Sequence, residues 1–145
     1  MTGRMVHYSA SRTQYVPASL PKPADVLVVD DEVEIATFVA EVLRDEGYGV
    51  RVAHDGASAL VEILRRPPSL ILLDVAMPVM VGEELIRHLR RVGLGHLPVI
   101  IMTAALNPET YRAHGVREVL PKPFDIETLL AAVRRHLLAP DQAPG

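Results

Sequence analysis

Five polar residues are each placed at or just beyond the end of an apolar run. Val26-Leu27-Val28-Val29 leads into Asp30-Asp31, Leu70-Ile71-Leu72-Leu73 into Asp74, and Val99-Ile100-Ile101-Met102 into Thr103. A shorter run, Glu118-Val119-Leu120, is followed by Pro121 and Lys122. Three carboxylates brought together repel one another, and the usual remedy is a hard divalent cation with oxygen ligands. Asp30, Asp31 and Asp74 are therefore candidates to hold Mg²⁺, with several waters retained. A lysine ammonium and a threonine hydroxyl beside them would surround a tetrahedral oxyanion such as a phosphoryl group. Carboxylates act as nucleophiles toward phosphorus, and phosphoryl transfer depends mostly on positioning and charge neutralisation. Taken singly, an Asp after a strand is often only a helix cap, and a lone Thr or Lys is uninformative. The weight lies in finding all five at successive strand ends.

The elements that must position them alternate between strand and helix patterns. After the first apolar run, Ile35, Phe38, Val39, Val42 and Leu43 form one face of an amphipathic helix, and Gly47 is placed to end it. Tyr48 to Ala53 reads as a second strand. Asp55 caps a second helix carrying Leu60, Ile63 and Leu64, which Pro67-Pro68 stops. A third helix spans about Gly82 to Val92, with Leu85, Ile86, Leu89 and Val92. Asp125 caps a last helix with Ile126, Leu129, Leu130, Val133 and Leu137. The alternation predicts a parallel sheet covered by helices on both faces. Strands one, three and four are wholly apolar, as strands buried on both faces should be, whereas strands two and five are mixed, as edges should be. That suits a flavodoxin-like, doubly wound, five-stranded α/β sheet of order 2-1-3-4-5, whose site lies at the carboxyl ends of the strands.

Residues 1–23 are polar, without sustained periodicity, and read as a disordered N-terminal arm. Residues 24–138 read as the folded domain, and 139–145 as a tail or the start of a linker. The chain has 145 residues, 49 % apolar, with no cysteine, which excludes disulfides and thiolate metal sites. A net charge of −3 gives no general attraction to nucleic acid or anionic lipid. No apolar run approaches the ~20 residues of a membrane span. The expectation is a soluble, cytoplasmic protein. The six histidines (His7, His54, His88, His96, His114 and His136) show no metal-ligand spacing and read as solvated surface residues.

With these blocks in view, the sequence resembles a known family. Val28-Val29-Asp30-Asp31-Glu32, Leu72-Leu73-Asp74-Val75-Ala76-Met77-Pro78, Met102-Thr103-Ala104 and Leu120-Pro121-Lys122-Pro123-Phe124 resemble the signature blocks of response-regulator receiver domains. The resemblance spans residues 24 to 138. It implies Asp74 as phosphoacceptor, Asp31 as a direct Mg²⁺ ligand and Asp30 acting mainly through metal-bound water. It also implies the backbone carbonyl of Ala76 as a further ligand, Lys122 paired with the phosphoryl oxygens, Thr103 as the switch hydroxyl and a cis Lys122–Pro123 bond. The implied donor is a histidine kinase or histidine phosphotransfer protein, and the implied state a monomer or phosphorylation-dependent dimer. No output domain is read after residue 138, so signalling is expected through protein contacts. A receiver excised from a longer protein would read the same.

Three departures from the family pattern bear on the switch. Val119 occupies a position where the family commonly has Tyr or Phe. The segment from Thr103 to Lys122 is short by about one helical turn, so a short or poorly anchored helix is expected over residues 107–114. Val79 and Val81 stand where the family usually has a Gly and an acidic residue, and for Val79, Met80 and Val81 packing on the third helix is favoured over an exposed apolar contact. Two other functions compete with the phosphorylation switch. One is a pseudo-receiver that binds partners without phosphate. The other is an aspartate-nucleophile phosphatase, weakened because Ala76 cannot act as the general acid such an enzyme needs.

Overall fold

The computed structural model describes residues 3–8, 12–17, 24–74, 82–104 and 115–137. Five strands form the central sheet: β3 (Asp25–Val29), β4 (Gly49–Ala53), β5 (Leu70–Asp74), β6 (Val99–Thr103) and β7 (Glu118–Pro121). All pairs are parallel, in the spatial order β4-β3-β5-β6-β7. Counted within this sheet, that is the expected 2-1-3-4-5. Four helices accompany it among the described residues: α1 (Val33–Asp45), α2 (Gly56–Arg65), α3 (Gly82–Arg91) and α4 (Ile126–Leu137).

The period-two alternation of the strands divides the core into two layers. Val26, Val28, Leu70, Leu72, Ile100 and Met102 pack with Ala36, Val39 and Leu43 of α1 and with Leu129, Leu130 and Val133 of α4. Leu27, Val29, Ile71, Leu73, Ile101 and Val119 form the opposite layer with Ile63 of α2 and Leu85, Ile86 and Leu89 of α3. β5 and β6 are buried throughout, whereas β4 is only half-buried over most of its length, as an edge strand should be.

Local signals set the boundaries. The Asp55 carboxylate accepts the Ser58 N–H at 2.6 Å, and that of Asp125 accepts the Thr128 N–H at 2.7 Å, closing the first turns of α2 and α4. Gly47, with φ of +96°, ends α1, its N–H donating to the Arg44 carbonyl at 2.9 Å. At the amino end of the sheet Arg51 joins three elements. It pairs with both carboxylate oxygens of Asp25 (2.6 and 3.3 Å), with Glu62 Oε1 (3.2 Å) and with the carbonyl of Arg66 (2.7 Å).

The structure corrects the helix faces in one respect. On α1 the buried stripe is Ala36, Val39, Ala40 and Leu43, and Phe38 is 51 % exposed. Phe38 is two positions from both Ala36 and Ala40, so with these alanines on the buried stripe it falls on the other side of the helix. Leu64, Val92 and Ile126, placed on buried faces by periodicity, are also largely exposed.

The N-terminal segment also differs from its expectation. Instead of a disordered arm, β1 (Gly3–Tyr8) pairs antiparallel with β2 (Arg12–Pro17) in a separate two-stranded sheet, Gly3 opposite Pro17 and Tyr8 opposite Arg12. Val6, Tyr8, Thr13, Tyr15 and Val16 are residue types favoured in strands. The expected helix over residues 107–114 and the loop of Val79, Met80 and Val81 lie outside the described residues. Among the described residues, no helix is long and apolar enough to cross a membrane.

Candidate functional site

The sheet register brings the polar strand ends level. Val29 is paired with Leu73 and Leu73 with Ile101, so Asp30, Asp74 and Met102 follow one step along neighbouring strands. Thr103 is opposite Pro121, immediately before Lys122. Asp30, Asp74 and Thr103 are all buried, whereas Asp31 is exposed. One carboxylate oxygen from each of Asp30, Asp31 and Asp74 lies within 4.8 Å of the others. Lys122 joins them from the far edge of the sheet: its Nζ is 3.5 Å from Asp30 Oδ2, 3.6 Å from Asp74 Oδ2 and 4.0 Å from Glu32 Oε1. Its backbone N–H donates to the Thr103 carbonyl at 2.7 Å, and the Lys122–Pro123 bond is cis, as the resemblance implied.

The two oxygens of Asp30 have different surroundings. Oδ1 accepts the Glu32 N–H at 2.9 Å, whereas Oδ2 is buried and accepts no hydrogen bond. Burial pushes the Asp30 carboxyl up to about 6 from its ordinary 3.8. The Glu32 N–H opposes this, the neighbouring Asp74 charge adds to it, and the Lys122 ammonium partly offsets it. The Lys122 ammonium, 3.5 Å from Oδ2, offsets only part of the charge of two adjacent buried carboxylates, and a proton or a further cation would relieve the rest. The all-oxygen donor set suits a hard divalent ion, so the residues present fit such an ion.

Asp30, Asp31, Asp74, Thr103 and Lys122 are thus brought to one end of the sheet, as the strand ends foretold. Ala76 lies outside the described residues. Two neighbours went unnoticed in the sequence. Glu32 supplies both the backbone donor to Asp30 and a carboxylate near Lys122. His54 Nδ1 lies 2.9 Å from the Asp30 carbonyl oxygen, so this histidine, although exposed, is engaged with the site. Its signal was available, because His54 directly follows the end of strand β4. His136 likewise has a partner, Glu118 Oε1 at 2.8 Å, far from the carboxylate cluster in sequence.

Comparison with known proteins agrees with this fold. Residues 26–134 match the family model of the response regulator receiver domain. A response regulator, MprA of Mycobacterium sp. (strain KMS), is 38 % identical over 127 residues, covering 84 % of this chain and 55 % of that protein. The probable transcriptional regulatory protein TcrX of Mycobacterium tuberculosis is 38 % identical over 119 residues, covering 80 % of this chain and 50 % of its own length. Among solved structures, the chemotaxis response regulator CheY4 of Vibrio cholerae superposes with a TM-score of 0.73 at 37 % identity, covering 79 % of this chain and 99 % of its own. A putative response regulator from Chloroflexus aurantiacus gives 0.76 at 31 % identity, covering 81 % and 100 %. The chain belongs to the response regulator receiver domain family, the signal-receiving module of two-component systems. It spans about half the length of the curated relatives it matches.

Proposed function

We propose that Asp74 is the phosphoacceptor of a phosphorylation-driven switch, and that a histidine kinase or histidine phosphotransfer protein is the donor. An Asp74 carboxylate oxygen attacks phosphorus as the phosphorus–nitrogen bond of phosphohistidine breaks. The electron pair returns to the imidazole, and the product is an acyl phosphate on Asp74. The observation carrying this reading is the position of Lys122, whose ammonium lies within 4 Å of both buried carboxylates and can follow charge onto a phosphoryl oxygen. Asp31, Asp74, Asp30 and, as the resemblance implies, the Ala76 carbonyl would hold Mg²⁺, which would supply charge neutralisation. Thr103, buried beside Lys122, offers a hydroxyl to the phosphoryl group, and its movement toward that group shifts the domain between two states.

The donor docks beside the site. Lys122 and its neighbours Pro123 and Phe124, with Ile35, Phe38 and Ala104, line an apolar groove of about 340 Å³. A protein that hands a phosphoryl group to Asp74 must sit on this rim, and the exposed Phe38 ring is its anchor. Residues 24–138 form the working unit, in the cytoplasm, with residues 1–23 and 139–145 outside it. Output passes through protein contacts, and catalysis is limited to self-phosphorylation from a donor and loss of the phosphate.

Incubation with Mg²⁺ and acetyl phosphate, followed by intact-mass measurement, tests the assignment. One phosphoryl adduct on the native chain, absent from Asp74→Asn, is expected. No adduct from acetyl phosphate or any phosphohistidine donor would favour the phosphate-independent module instead.

A further inference from the structure

The edge strand β4 ends at the acidic site without contributing a carboxylate to it. Its last residue and the next one both hold Asp30. The Asp30 N–H donates to the Ala53 carbonyl at 3.0 Å, and His54 Nδ1 lies 2.9 Å from the Asp30 carbonyl oxygen. A carbonyl oxygen only accepts, so Nδ1 carries the hydrogen. That carbonyl belongs to the peptide linking Asp30 to Asp31. Holding it fixes the plane of that peptide, and with it the direction in which Asp31 leaves the chain. Asp31 is the exposed member of the carboxylate cluster, whereas burial confines Asp30 and Asp74.

We infer that His54 is a positioning residue for the cation site, its Nδ1–H orienting the Asp30–Asp31 peptide so that the Asp31 carboxylate faces those of Asp30 and Asp74. The inference rests on the cation site proposed above. It requires no change of protonation, since the neutral Nδ1–H tautomer and the imidazolium both donate. Residues that orient metal ligands without touching the metal commonly change affinity by about 10–100-fold when removed. A single bond from an exposed ring belongs near the lower end of that range.

The test is Mg²⁺ titration of the unphosphorylated full chain, followed by calorimetry and by the amide signals of Asp30 and Asp31. His54→Ala removes the donor. His54→Asn places an amide N–H near the Nδ1 position, whereas His54→Gln places it toward Nε2. Mg²⁺ affinity about tenfold weaker in His54→Ala and His54→Gln is expected, with most of it regained in His54→Asn. Urea midpoints measured in chelator should stay together across the set. Native affinity in His54→Ala, or equal losses in all three variants, would overturn the inference while leaving the cation site standing. Absence of saturable Mg²⁺ binding by the native chain would remove the cation site itself, and the positioning role with it.

Discussion

Asp74 ends β5 and Lys122 directly follows β7, strands that do not touch, yet Lys122 Nζ lies 3.6 Å from Asp74 Oδ2 across the end of β6. The lysine is the only described cation paired with the two buried carboxylates. Lys122→Met keeps the stem and removes the charge. Phosphorylation of Asp74 by acetyl phosphate at saturating Mg²⁺ should slow by about a hundredfold, the scale seen when one preorganised donor is lost. Native rates in this variant would show that Lys122 only balances resting charge.

Asp30 gives a pH dependence of defined sign. Its carboxyl titrates near 6 in the fold and near 3.8 in the unfolded chain. Between those values the folded state binds more protons, so this group's contribution is full below about 3.8 and is lost as pH rises through about 6. In chelator, the native chain should lose stability relative to Asp30→Asn between pH 4.5 and 7, by on the order of 1–3 kcal/mol. Urea unfolding at several pH values reads this directly, and parallel curves for the two proteins would contradict it. Asp55, Asp125 and Glu118, held below their ordinary range by hydrogen bonds from Ser58, Thr128 and Arg135, act in the opposite sense at lower pH.

Arg51 should matter for the fold and not for the chemistry. Its guanidinium ties Asp25 of β3 to Glu62 and the Arg66 carbonyl near the end of α2, at the opposite end of the sheet from Asp74. Arg51→Leu removes the charge partner of Asp25 and Glu62, both partly shielded, and should cost about 1–3 kcal/mol. The phosphorylation rate of the folded fraction should be unchanged.

Phe38 separates the two kinds of donor. Acetyl phosphate needs no docking surface, whereas a phosphohistidine protein does. Phe38→Ala should therefore slow transfer from the protein donor by tenfold or more, the loss of an anchoring aromatic being about 2 kcal/mol or above, and leave acetyl phosphate kinetics unchanged. Equal effects on both donors would place Phe38 in the site's structure rather than on a docking face.

The strand order and the five-residue cluster were legible because each depends on local signals: apolar runs of strand length and a polar residue at the carboxyl end of each. The fit of α1 to the sheet was less legible. Periodicity weights Phe38 by its hydrophobicity, whereas the buried stripe runs through Ala36 and Ala40, two positions to either side of it. His54 was passed over because it was judged by ligand spacing to other histidines, when its role is set by the strand beside it. The β1–β2 pairing was overlooked because its strand-forming residues are interspersed with polar ones. Val119 is buried opposite Ile101 in the layer containing Leu85 and Leu89, a placement that the family pattern of an aromatic at this position did not convey.

The central claim is that one carboxylate, Asp74, receives the phosphoryl group. Borohydride reduction converts an aspartyl phosphate to homoserine, which peptide mass mapping locates. After incubation of the full chain with Mg²⁺ and a phosphohistidine donor, homoserine is expected at position 74 and nowhere else, and chelation of Mg²⁺ should abolish it. Homoserine at position 30 or 31 instead, or none under any donor, would contradict the account.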